Sequence, residues 1–265
     1  MSSLSDKTVL ITGATKGFGK SMALACAKAG ANVVIVSKSV HVNSANKDTI
    51  FTLAEDIEEM GGSAYAIQTD IRYDDQIERA INETLRQFGA LDIIVHAANV
   101  FVGSSSAQID MSRFDLMHQI LPRSLFLLAK YGVNHMIESA NPHILTLAPR
   151  YEEFERSTYS KTAYAVNAMA QSVMVKALAN EFSDSGIAVN ALWPQGPIQD
   201  FDDQFFALKE PDRDPLMIDV LTQAALQIFQ QPANQFSGRF CLDREIIQDH
   251  ADFTLEDFIP KQLAE

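Results

Sequence analysis

Three glycines and a lysine carry the strongest chemical signal in this chain. The stretch Thr12-Gly13-Ala14-Thr15-Lys16-Gly17-Phe18-Gly19 follows the apolar run Val9-Leu10-Ile11 and leads into a helix-forming segment from Ser21 to Ala29. Glycines at 13, 17 and 19 permit a tight turn, close approach of the backbone to a ligand and close packing of helix on sheet. The start of the helix aims free N–H groups and its positive end at negative charge. Strand, glycine turn and helix in this order make a grip for a pyrophosphate, with Gly13, Thr15, Lys16, Gly17, Phe18 and Gly19 expected against it. The spacing is TGxxxGxG rather than the commoner GxGxxG.

A second chemical feature lies at the end of the next apolar run, which reads Val36-Ser37-Lys38-Ser39. An acidic residue there would hydrogen-bond the ribose hydroxyls of NAD, and none is present. Lys38 and Lys16 are instead placed to attract a 2′-phosphate, so the expected cofactor is NADP(H). Asp70, just past the third apolar run, is placed to accept from an adenine amino group; its other reading is a helix N-cap for the segment from Tyr73 onward.

These residues need a scaffold, and the hydrophobic pattern supplies one. Short apolar runs recur at 8–12, 32–36, 64–68, 92–96, 143–147, 187–192 and 239–242. Between them lie segments of helical periodicity, such as Ile50, Leu53, Ala54 and Ile57, or Ile77, Ala80, Ile81 and Leu85. Strands alternating with helices of that length imply crossover connections and a parallel sheet covered on both faces. The expected fold is an α/β Rossmann-like doubly wound sheet of about seven strands. Gly61-Gly62 and Gly89 are positioned as C-terminal caps of helices, and Pro142 opens a strand. After the sixth run the pattern loosens into Trp193-Pro194-Gln195-Gly196-Pro197 and an amphipathic piece through Phe201, Phe205 and Leu208. This insertion, at about 194–215, is expected to be a lid over a substrate or an oligomer surface.

The 265 residues, 47% hydrophobic and 21% charged, suit one domain spanning 1–265. A net charge of -13 without a Lys/Arg cluster argues against nucleic acid as a partner. Cys26 and Cys241 show neither metal spacing nor a disulfide framework, and no metal site is expected. No run approaches the ~18 apolar residues of a membrane span, and a cytoplasmic location is the expectation.

Taken together, these residues resemble the short-chain dehydrogenase/reductase family, and more narrowly its hydroxysteroid dehydrogenase-like protein 2 group. The narrower likeness rests on Thr49-Ile50-Phe51-Thr52-Leu53-Ala54-Glu55-Asp56-Ile57-Glu58 with Gly61-Gly62, and on Ala188-Val189-Asn190-Ala191-Leu192-Trp193-Pro194. The resemblance implies hydride transfer between a nicotinamide and a small-molecule alcohol or carbonyl compound, by a tetrad of Asn, Ser, Tyr and Lys. It also implies a homodimer or homotetramer, assembled through the helices of the Tyr164 segment and of the segment from Asp110 to Glu138. The expected cofactor contacts further include Ile71, Ala97, Ala98 and Pro194.

The tetrad itself is degraded. Counting back from Val189-Asn190 by one long helix places the tyrosine at Tyr164 and the lysine at Ala168. The helix asparagine falls on Leu121 and the strand-end serine on Pro149, while the family's NNAG has become His96-Ala97-Ala98-Asn99. Lys161, with Ser157 and Tyr159 near it, offers another register, but it would lie about 10 Å from position 168 along a helix rising about 1.5 Å per residue. Ser104, Ser105 or Ser106 could replace the serine, and His96 could serve as a proton donor; a solvated loop and a packed histidine are the plainer readings.

An ordinary phenol has a pKa near ~10, so only about one Tyr164 in a thousand would be phenolate at neutral pH without an ammonium neighbour. Alcohol oxidation needs that phenolate, whereas carbonyl reduction needs the neutral phenol as proton donor. The expected activity is therefore an NADPH-dependent carbonyl reductase centred on Tyr164. The alternative is a non-catalytic NADP(H)-binding sensor or scaffold subunit.

Overall fold

The computed structural model describes residues 4–42, 48–151, 161–196, 198, 216–249 and 253–260. Seven strands form one parallel sheet: Thr8–Thr12 (β1), Asn32–Ser37 (β2), Ser63–Gln68 (β3), Ile93–His96 (β4), His143–Leu147 (β5), Ala188–Trp193 (β6) and Phe240–Leu242 (β7). Each lies within a residue of the bounds read from the apolar runs. Burial on both faces explains why the runs of β1, β4, β5 and β6 are continuous rather than alternating, whereas β3, at the sheet edge, is partly exposed. In β1, Val9 and Ile11 pack into the core on one side of the sheet and Leu10 into the core on the other.

The first core is closed by helices Gly17–Lys28 (α1) and Ile50–Glu59 (α2). The second is closed by Asp74–Phe88 (α3), by Ser124–Met136, which follows a further helix and is α5 in chain order, and by Thr162–Glu181 (α6). Asp219–Gln230 (α7) and Asp243–Asp249 (α8) return to the first face. The intervening helix, Met111–His118 (α4), continues into α5 through a π-helical turn, Gln119–Arg123. Pro122 lies inside that turn; it has no N–H to give to the ladder, and a π turn accommodates the loss.

Local chemistry sets the ends of these helices. Thr49 and Thr52 form a reciprocal capping box at the start of α2, and Gly89 ends α3 in the left-handed region at φ 76°. α1 begins at Gly17, earlier than the expected Ser21, because the last part of the glycine turn is already helical.

The strand order is β3-β2-β1-β4-β5-β6-β7, so the chain turns outward in opposite directions from β1 and β4. Such a switch point leaves a crevice at the carboxyl ends of the strands, where ligands bind in sheets of this type.

Candidate functional site

A cavity of about 590 Å³ occupies that crevice. From β1 and the turn after it come Gly13, Thr15, Lys16, Gly17 and Phe18; from the ends of β2 and β3 come Ser37, Lys38, Ser39, Asp70 and Ile71. Past β4, residues 97–101 form the third wall, and Leu116 and Ile120 add to it from α4 and the π turn.

The glycine turn closes on its neighbours so tightly that side chains are excluded. A Cβ on Gly13 would lie 2.7 Å from the Ala98 Cα, and one on Gly19 would lie 2.4 Å from the Gly13 carbonyl oxygen. The start of α1 has no side-chain cap and no acidic residue in its first turn. Its leading N–H groups therefore remain available to an anion. Shape and donor set both fit a dinucleotide.

At the β2 end, the exposed Lys16 and Lys38 face the cavity together with Ser37 and Ser39. The Ser37 hydroxyl lies 3.4 Å from that of Thr15 and accepts from the Ser39 N–H at 3.3 Å, which braces the strand end against the glycine turn. Asp70 lines the cavity, but Arg72 already grips its carboxylate, through Nε at 2.9 Å and Nη2 at 2.5 Å. That guanidinium holds the Asp70 carboxyl below its ordinary range, with Lys38 acting in the same direction. The N-cap position of α3 belongs to Tyr73, and Asp70 instead folds its side chain back on the Arg72 N–H.

Tyr164 stands near the start of α6, 2% exposed, in an apolar cluster with Met117, Leu121, Ala163, Ala168, Trp193 and Leu242. The ring of Phe101 meets it edge-on at 5.1 Å, and the Asn99 amide donates to the phenol oxygen at 3.5 Å. Tyr164 is not part of the cavity wall; Asn99 and Phe101 stand between the two. Ala168 is 1% exposed in the same apolar cluster. Leu121 is buried there too. Pro149, past β5, presents its carbonyl to the Ser172 hydroxyl at 2.7 Å.

Other described candidates are not part of the cavity wall. Lys161 is the N-cap residue of α6. Ser157 and Tyr159 fall outside the described residues. Ser105 bonds Gln108 at 2.9 Å, and neither it nor Ser104 or Ser106 lines the cavity. Pro194 is buried beyond the cavity wall, and the turn after it is pinned by the Asp243 carboxylate, which accepts from the Gln195 N–H at 2.8 Å. Of the expected lid at 194–215, only Pro194, Gln195, Gly196 and Ile198 are described; Phe201, Phe205 and Leu208 lie outside the described residues. An isolated bridge joins Ile198 to Leu216.

His96 resolves in favour of packing. Its Nε2 lies 3.2 Å from the Ile120 carbonyl oxygen and 2.8 Å from the Ser124 hydroxyl, and its Nδ1 accepts from the Gln171 amide at 3.2 Å. A carbonyl can only accept and an amide N–H only donates, so the neutral tautomer with hydrogen on Nε2 satisfies the ring. Burial pulls its pKa down to about 4, which leaves no proton to give at neutral pH.

Sequence reasoning missed Val100, Phe101, Leu116 and Ile120, which sit in a loop and helix without a motif. Asn99 had a faint signal, being next to Ala97 and Ala98.

The family model for short chain dehydrogenases matches residues 7–201. Hydroxysteroid dehydrogenase-like protein 2 of Danio rerio is 36% identical over 245 residues, which are 92% of this chain and 59% of that protein. The Homo sapiens protein of the same name is 33% identical over 246 residues, 93% of this chain and 58% of the relative. This chain thus spans about three fifths of the length of these curated relatives. A solved structure from Xanthomonas campestris superposes with a TM-score of 0.88 at 32% identity, covering 98% of this chain and 94% of the other.

Proposed function

Because this chain belongs to the short-chain dehydrogenase family, we propose that it is an NADP(H)-dependent carbonyl reductase with a remodelled site centred on Tyr164. The observation that carries the reading is the cavity at the switch point, lined by a glycine turn that carries Lys16 and by Lys38, with no acid, at the end of β2. The glycine turn and the start of α1 hold the pyrophosphate, and Lys16 and Lys38 hold the 2′-phosphate. NADPH, when bound, supplies the hydride. Tyr164 supplies the proton from its neutral phenol, which needs no ammonium to stay protonated at pH 7. The carbonyl oxygen reaches that phenol once Phe101 turns away from the edge-on contact.

A second reading is favoured by one observation: the Tyr164 side chain is buried behind Asn99 and Phe101. In it, the chain binds NADP(H) as a sensor or scaffold and does not turn over. Association as a homodimer or homotetramer is supported by Phe126 on α5 and by Val166 and Val173 on α6, all exposed. No helix among the described residues is long and apolar enough to cross a membrane, and a cytoplasmic location is part of the proposal.

The deciding experiment mixes the protein with NADPH and a panel of aldehydes and ketones, following binding and loss of NADPH absorbance together. Turnover abolished by Tyr164→Phe supports the reductase. Tight binding without oxidation, unchanged by that substitution, refutes it in favour of the sensor or scaffold.

A further inference from the structure

We propose that Asn99 couples an occupied nucleotide cavity to Tyr164. Its amide N–H holds the phenol oxygen, and its carbonyl oxygen accepts a hydrogen bond from an O–H or N–H on the nicotinamide-bearing half of the cofactor. The ligand half of this inference rests on the assignment of the cavity to NADP(H). Its other half, the contact to Tyr164, stands on the structure.

Three observations meet at this residue. Asn99 belongs to the cavity wall, and its Nδ2 lies 3.5 Å from the Tyr164 oxygen. Its Oδ1 is buried and has no hydrogen-bond partner among the described residues. The backbone just before it is pressed against the glycine turn, since a Cβ on Gly13 would come 2.8 Å from the Ala98 nitrogen. A buried amide oxygen is normally paired, so an orphan on a cavity wall marks where a ligand donor arrives. It lies past β4, across β1 from the lysine-bearing end of β2, which separates it from the 2′-phosphate end of the site.

The chemistry suits the altered tetrad. A neutral amide stabilises a phenolate less than an ammonium does. The same amide fixes the direction of the phenol oxygen. Asn99 is thus a positioning residue.

The test uses the intact chain labelled with [13Cζ]tyrosine, with Tyr164→Phe identifying the resonance, and fluorescence titrations with NADPH and with 2′,5′-ADP, which lacks the nicotinamide half. Asn99→Ala should raise the titration midpoint of Tyr164, and Asn99→Asp should raise it further, because a carboxylate beside the phenol opposes its ionisation. Asn99→Ala should also weaken NADPH by roughly 3- to 10-fold, the range of one hydrogen bond. It should leave 2′,5′-ADP unchanged. Asn99→Ser, which keeps a hydrogen-bonding group, should fall between, and circular dichroism checks that each variant is folded. Unmoved midpoints in both Asn99→Ala and Asn99→Asp, or equal losses for NADPH and 2′,5′-ADP, overturn the proposal. Failure of the unaltered chain to bind 2′,5′-ADP overturns the NADP(H) assignment and the ligand half with it, while the phenol titration still decides the contact to Tyr164.

Discussion

Charge reversal at Lys38 tests the cofactor assignment most directly. Lys38 is exposed and lies on the cavity wall beside Lys16, so its interaction with a bound phosphate runs through water-like surroundings. Two unit charges about 4 Å apart in water interact by about 1 kcal/mol, and a phosphate monoester carries about −1.5 to −2 at pH 7. One ammonium contact is then worth about 1.5–2 kcal/mol, and replacing attraction by repulsion in Lys38→Glu costs about 3–4 kcal/mol, or roughly 10²- to 10³-fold in Kd. At physiological salt the screening length is about 8 Å, longer than the contact, so most of the effect survives there and it shrinks at high salt. Asp70 lies close enough to feel Lys38, and a glutamate in its place adds to the local negative field. NADH lacks the 2′-phosphate and should change far less. Fluorescence titrations of NADPH and NADH at matched ionic strength, repeated at low and high salt, give the comparison. Equal weakening of the two nucleotides, or unchanged NADPH, would refute the reasoning.

Gly19→Ala should force the turn open, because the new Cβ would sit 2.4 Å from the Gly13 oxygen; the expected cost is about 1–3 kcal/mol in chemical denaturation, with loss of NADPH binding, and an unchanged denaturation midpoint counts against it. His96, held at about 4 by burial, binds fewer protons when folded than when unfolded, so its contribution is present above pH ~6.5 and is lost as pH falls toward 4, by about 3 kcal/mol in total. His143, also pulled to about 4 by burial, acts with the same sign. Asp243, raised to about 6 by burial, acts with the opposite sign, its contribution being lost as pH rises through 6. Urea melts of His96→Asn between pH 7 and pH 4 should therefore show a shallower fall than the unaltered protein, and parallel curves would contradict the burial argument. Ala168→Lys places an ammonium in an apolar cluster and should destabilise by about 3–5 kcal/mol. It should not increase alcohol oxidation; a stable variant with raised oxidation would show that the cluster admits water and a charge.

Much of the scaffold was legible because its determinants are local. Runs such as Val33 to Val36 are apolar throughout when a strand is buried on both faces, and a glycine turn announces itself by residues that no other side chain can replace. The positions of Lys16 and Lys38 followed from the same local logic, since Lys16 sits in the glycine turn at the start of α1 and Lys38 directly after β2. The environment of Tyr164 could not be read that way. It depends on Asn99, 65 residues away in sequence, and on Phe101, and both come from a loop with no periodicity. Asp70 lines the cavity with its carboxylate held by the guanidinium of Arg72, two residues on, a pairing that carries no motif of its own.

Sequence by itself determined the sheet, the glycine turn and the absence of an acid at the end of β2, because hydrophobic periodicity and backbone conformation act over a few neighbouring residues. Tertiary structure alone decided that His96 is a neutral core residue tied to Ser124 and Gln171, that carbon fills the space around Ala168, and that Asn99 stands between the cavity and the phenol. Burial and partner choice are properties of surfaces brought together by packing, and no short stretch of chain carries them.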